Sequence, residues 1–223
     1  MLLLDLYCER LGPEAWAEPL NAASNAGFLL AAWWSWRTLP SRVPAAAGAL
    51  RVLAVLMALV GLASLSFHTF QSPATGLLDV AFIGLFNVCY LMFFGYHVLG
   101  WNRWVAGASG AGFIALDQLR MLCLPAGFLH GSGMYFPPLL VLLLLSALAR
   151  QVNRSAADLM LQAALLFMVS LTARTLDRPL CGIWPYGLHF VWHLLNALVL
   201  LQLVRAFAQG ACSVIGAGTP RRD

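Results

Sequence analysis

The sequence predicts an all-α, polytopic membrane protein built as one bundle of seven transmembrane helices. Hydrophobic residues make up 61% of the 223 and charged residues 10%, against about 25% charged in ordinary soluble domains. Apolar stretches of spanning length recur along the whole chain, separated by Arg, Pro, Asp or Gly. No Ser/Gly linker, long charge run or fixed-period repeat marks a second domain. The net charge of +4 comes from arginines without a single lysine, too small and scattered a surplus for a nucleic-acid partner.

A bilayer core of about 30 Å takes about 20 mostly apolar residues per helix. The first span is expected over residues 20–38, after the acidic N-terminal segment, and the second over 46–68. The run Gln71-Ser72-Pro73-Ala74-Thr75-Gly76 then reads as a tight turn into a third span over 77–99. The fourth and fifth, over 101–117 and 130–149, are the least sharply bounded, because small residues and turn formers fill 107–112 and 122–133; six is the neighbouring count. The sixth covers 156–173 and the seventh 188–208. Residues 1–209 thus form a single domain, with 210–223 an unstructured cytoplasmic tail. Asp5 and Glu9 interrupt the apolar start too early for a signal peptide, so a mature N-terminus is expected.

With seven spans the termini lie on opposite sides, and arginine placement sets the orientation. The N-terminal face holds Arg10, Arg120, Arg174 and Arg178; the other nine arginines lie on the opposite face, which is therefore cytoplasmic. Trp33, Trp34, Trp36, Trp101 and Trp104 cluster at that face as interfacial anchors. Arginine without lysine, with abundant Ala and Leu, points to a GC-rich bacterial genome, hence a bacterial inner membrane with the N-terminal face toward the periplasm.

Ionisable residues at hydrocarbon depth are costly and tend to be functional. Ser64 and His68 lie one helical turn apart at the outer end of the second span, and His189 and His193 lie one turn apart opening the seventh. The turn after His68 returns Asp79 to its depth. Taken singly, Asp79 also suits a helix N-terminus, and Ser64 a bond to a backbone carbonyl. Together the five converge on one face of the membrane. Two imidazoles at i and i+4 chelate one metal from a single helix, and a third from another helix leaves the fourth tetrahedral position open for water, the catalytic zinc pattern. Asp79 is then placed to take a proton.

Four motifs resemble the alkaline ceramidases, within a seven-helix superfamily that includes the adiponectin and progestin receptors. They are Tyr7-Cys8-Glu9 with Glu18-Pro19-Leu20-Asn21 and Ser24-Asn25; Ser64-x3-His68; Leu78-Asp79; and His189-Phe190-Val191-Trp192-His193. The N-terminal elements look like the ceramidase branch rather than the receptors. The resemblance implies zinc bound by His68, His189 and His193, with Ser64 and Asp79 flanking the reacting water. It also implies a calcium held by Glu9 and Glu18, hard oxygen ligands. Here the chain departs from the pattern: the family's Asp two residues before the Cys corresponds to Leu6, with Asp5 shifted by one, and the spacer before Glu18 is shorter. The other reading of these acids is a solvated segment capping the first span, and Asn21 and Asn25 suit bonds to neighbouring helices.

Cys8, Cys181 and Cys123 all fall on the outer face, where an oxidising compartment allows a disulfide; the resemblance points to Cys8 with Cys181. Arg174, Asp177 and Arg178, before the seventh span, read as ion-paired or as a contact to a lipid headgroup. The expected activity is zinc-dependent hydrolysis of a ceramide-like N-acyl lipid, with a membrane lipid as substrate and no nucleic acid. A seven-helix lipid receptor with a structural zinc is the alternative. A small transporter fits less well, since its acids would sit mid-span on several helices.

Overall fold

The computed structural model describes residues 7–125 and 127–216, and all regular structure among them is helical. Asp5, Leu6 and the tail from 217 to 223 lie outside the described residues. Pro19 opens α1 (Pro19–Ser24), at the position where its missing N–H is no loss. The backbone stays right-handed helical through Asn25 into α2 (Ala26–Thr38), so the two helices together cover the first expected span. The remaining helices are α3 (Ala47–Phe70), α4 (Pro73–His97), α5 (Arg103–Cys123), α6 (Phe136–Ala149), α7 (Arg154–Leu176) and α8 (His189–Gly216). Side chains at the N-cap position itself begin three of them: a Ser72/Thr75 capping box for α4, Asn102 for α5 and Asn153 for α7.

From α2 onward, each helix packs against the next in sequence, and α8 closes the ring against α2 while also touching α1, α3 and α4. Five helical segments among the described residues are long and apolar enough to cross a membrane: Pro44–Phe70, Pro73–His97, Ser132–Ala149, Arg154–Leu176 and His189–Cys212. The expected first and fourth spans are the two outside this set. The first is divided at Asn25, and α5 carries Arg103, Asp117 and Arg120. The exterior is apolar, with Leu77, Val80, Leu85, Leu140, Leu144, Leu165 and Val169 all exposed; so much outward apolar surface suits lipid rather than water.

Three expected boundaries move. The turn between the second and third spans is shorter than the run 71–76, because Pro73 at the first helical position and the Ser72 cap start α4 at once. Gly76 lies inside α4, against the Phe67 ring. Gln71, left-handed at φ 37°, and Ser72 alone link the helices. Counting 1.5 Å per residue back from this link, Asp79 lies ~10 Å along α4 and Ser64 ~10 Å along α3, so Asp79 is level with Ser64 rather than with His68. The tail expected from Gly210 is helical through Gly216. Gly210 is no breaker: a Cβ there would collide with Val98, and Ala211 is buried beside it, so α8 is closely packed at this point. The fifth span opens as a 3-10 turn at Ser132–Tyr135, after left-handed Leu129, His130 and Gly131.

Cys8 and Cys181 form a disulfide, tying the N-terminal segment to the loop before α8. Asp177 reinforces the tie: one carboxylate oxygen accepts the N–H groups of Leu188 (2.6 Å) and His189 (2.9 Å), and the other accepts that of Cys8 (3.1 Å). It thereby caps the first turn of α8, where N–H groups lack helical partners. Arg174 turns away to the Ser132 hydroxyl (2.9 Å) and the rings of Tyr135 and Trp192. Alkylation of denatured, unreduced protein is expected to label Cys89, Cys123 and Cys212 alone, with two further sites after reduction. Cys181→Ser is expected to lower the thermal midpoint, since losing a native disulfide typically costs about 2–5 kcal/mol in small domains.

Candidate metal centre

The centre is built from α3 and α8, held face to face by α1. His68 lies on the last full turn of α3, and His189 and His193 occupy successive turns of one face of α8. All three rings are buried. Their centroids are 4.7 Å apart for His68 and His193, 4.6 Å for His189 and His193, and 5.1 Å for His68 and His189. One ring nitrogen from each comes within 4.8 Å of the others, so the expected three-histidine group is assembled.

Hydrogen bonds fix which nitrogen faces inward on two of the rings. His193 Nδ1 lies 3.0 Å from the Asn21 carbonyl oxygen and 2.8 Å from Ser24 Oγ. A carbonyl only accepts, so Nδ1 carries the proton and Nε2 keeps its lone pair. His68 Nδ1 lies 2.5 Å from Glu18 Oε2, donating to the carboxylate. His68 Nε2 is left buried with no hydrogen-bond partner, and so is His189 Nδ1. An unpartnered buried polar atom is costly, and a divalent ion between the rings removes that cost. The donor set of three imidazoles suits zinc, and the Glu18–His68 pair is the carboxylate–histidine arrangement that orients a metal ligand.

Asp79 and Ser64 join this centre from the side. Both line one cavity with His189 and His193, and the Ser64 hydroxyl interacts with the Asp79 carboxyl. Asp79 Oδ1 is itself buried without a hydrogen-bond partner. The cavity continues along a single face of α8 through Asn196, Val199, Leu200 and Leu203, ~21 Å of helix from His189. Opposite stand Ile83 and Tyr90 of α4 and Leu142 and Leu145 of α6. One end is therefore polar and metal-competent, and the remainder is lined mainly by apolar side chains.

Glu9 and Glu18 are committed to protein partners. Glu9 accepts the N–H groups of Leu20 (2.7 Å) and Asn21 (2.8 Å), capping α1 as a buried rather than solvated acid. Burial raises the Glu9 carboxyl above its ordinary value, against the pull of these two N–H groups. For Glu18, burial acts in the same direction but is outweighed by hydrogen bonds from His68, Arg10 and Asn21, which hold the carboxyl below its ordinary value. Neither acid belongs to a group of metal-ligating side chains among the described residues.

Sequence reasoning did not foresee Tyr7 or Ser24 as parts of the centre, nor the bonds made by Arg10 and Asp177. Tyr7 stacks on His189 at a centroid distance of 3.8 Å. Burial pushes its phenol up, so it stays protonated. Asn25 bonds within its own helix, to the carbonyl oxygens of Asn21 and Ala22. The chain matches no protein-family model, and no curated protein or solved structure matches it either.

Purified protein is expected to carry one zinc per chain by elemental mass spectrometry. His68→Ala and His193→Ala are each expected to lose it, and Ser24→Ala to weaken it by about 10-fold at most, because the Asn21 carbonyl still holds the His193 Nδ1 proton. Stoichiometric zinc in both histidine variants removes the assignment.

Proposed function

We propose that this protein is an integral-membrane, zinc-dependent hydrolase that cleaves the amide bond of a ceramide-like N-acyl lipid, releasing a fatty acid and a free amine. The observation that carries the reading is the junction of two unlike surfaces. The three-histidine centre, with a carboxyl and a hydroxyl beside it, opens directly into a long, mainly apolar cavity. An acyl chain lying along α8 would bring its amide carbonyl to the histidines. The resemblance of the four motifs to the alkaline ceramidases supports the same substrate class.

A bound zinc would supply Lewis acidity, polarising the acyl carbonyl and lowering the pKa of water toward about 7. His68, His189 and His193 would hold it. Asp79 would take the proton of the attacking water at its free oxygen and return it to the leaving amine. Ser64, buried beside Asp79, would donate to the developing oxyanion. The apolar walls would fix the chain, so that attack becomes effectively unimolecular.

Seven spans, with α1 and α2 together as the first and α5 as the fourth, would set the N-terminal segment and the metal centre on the periplasmic side of a bacterial inner membrane and the end of α8 in the cytoplasm. The Cys8–Cys181 disulfide supports that orientation, because disulfides persist in oxidising compartments. The arginine distribution supports it independently.

Fluorescent ceramide and related N-acyl lipids presented to the purified protein are expected to release fatty acid, and zinc removal is expected to stop the release. Asp79→Asn should lower kcat by about 10²–10⁴-fold and Ser64→Ala by about 10²-fold, both with zinc retained. Zinc retention without acid release from any N-acyl lipid would sink the hydrolase and leave a lipid receptor with a structural metal.

A further inference from the structure

The N-terminal segment is wrapped around a buried cation, and that cation is Arg10. The residue is 4% exposed, and its guanidinium reaches four oxygens from three parts of the chain. Nε donates to Glu18 Oε1. Nη1 donates to the carbonyls of Gly12 and Glu14, at 3.3 Å each. Nη2 donates to the His68 carbonyl at 2.7 Å. A cage of carboxylate and carbonyl oxygens is the donor set of a hard divalent ion. Here a side chain of the same loop fills it. Both carboxylate oxygens of Glu9 are on backbone N–H groups, and those of Glu18 are shared among Arg10, His68 and Asn21. A calcium at these acids would have to displace the guanidinium or repel it, so these residues do not fit the ion that the resemblance implies.

The position of the guanidinium gives it a second consequence. His68 is in the last turn of α3, where backbone carbonyls have no helical partner and a positive charge is favourable. Arg10 satisfies that carbonyl. Through Glu18, whose other oxygen receives the His68 Nδ1 proton, it also fixes the imidazole. One side chain therefore holds the same residue by its backbone and by its ring. Breaking a buried pair by removing one partner leaves an uncompensated charge; here the stranded charge would be the carboxylate that orients His68.

We infer that Arg10 is the built-in cation of this segment, replacing a bound calcium, and that it acts through Glu18 as a positioning residue for the metal ligand His68. The inference rests on the three-histidine metal reading, not on the identity of the lipid.

The test is zinc affinity, measured in detergent by competition with a chromophoric chelator and so independent of hydrolysis. Arg10→Ala, Arg10→Lys and Glu18→Gln are each expected to weaken zinc binding, with Arg10→Ala and Glu18→Gln losing about 10–100-fold, the usual cost of removing an outer-shell partner. Arg10→Lys is expected to fall between wild type and Arg10→Ala, because one ammonium cannot span the four oxygens. The Arg10→Ala/Glu18→Gln double variant should lose less than the product of the single losses, as members of one network do. If Arg10→Ala does not fold, Arg10→Lys and Glu18→Gln decide the matter. Millimolar calcium chloride should leave the wild-type thermal midpoint and zinc affinity unchanged. A calcium-dependent rise in either overturns the inference, and so does a wild-type zinc affinity in Arg10→Lys and Glu18→Gln. Wild-type protein that binds no zinc overturns the metal reading with it.

Discussion

Imidazole nitrogens buried in an apolar bundle must find partners, and much of this molecule is arranged around three that face one another. Polar atoms lose several kcal/mol of hydration when buried unpaired. A divalent ion held between the rings would remove that cost at His68 and His189, which stand on helices far apart in sequence. What keeps the rings from drifting apart is a shell of bonds from α1 and the segment before it. Glu18 orients one ring, Asn21 and Ser24 orient another, and Tyr7 covers the third. Residues 7–18 thus form the wall that closes the centre.

The rest of the interior serves the opposite chemistry. Along α8, the face that presents His189 and His193 continues into Val199, Leu200 and Leu203, so one helix changes from ligand to lining within a few turns. Two polar groups along the cavity are satisfied by the protein itself: the Tyr90 hydroxyl donates to the Leu203 carbonyl, and Asn196 to that of Trp192. The cavity is thus graded from polar at the histidines to mainly apolar along the rest of α8.

Much of this was legible in the sequence, and the parts that were not share a cause. Apolar length gave the helices, and the i, i+4 spacing gave Ser64 with His68 and His189 with His193, because both are local properties of a helix. The recovery of Asp79 depended on a turn whose existence Pro73 signals. Its depth was misjudged because Pro73 also starts the next helix. Gly210 misled, since a glycine that ends a helix and one that permits close packing look alike until the neighbour, Val98, is known. Glu9, Glu18 and Arg10 were visible as acids and a base, but their pairing is set by how a loop folds back on α3, which no spacing rule encodes.

The disulfide joins residues 173 positions apart, and the histidines of α8 answer one on α3. The disulfide cannot form until the loop before α8 has emerged, and the histidine group cannot form until α8 itself has packed beside α3. During synthesis α3 must therefore wait with one of the three histidines, and Cys8 with an unpaired thiol. The three-histidine group is completed in one late event, the docking of α8, so a chain that stops short of that helix holds a single one of the three rings.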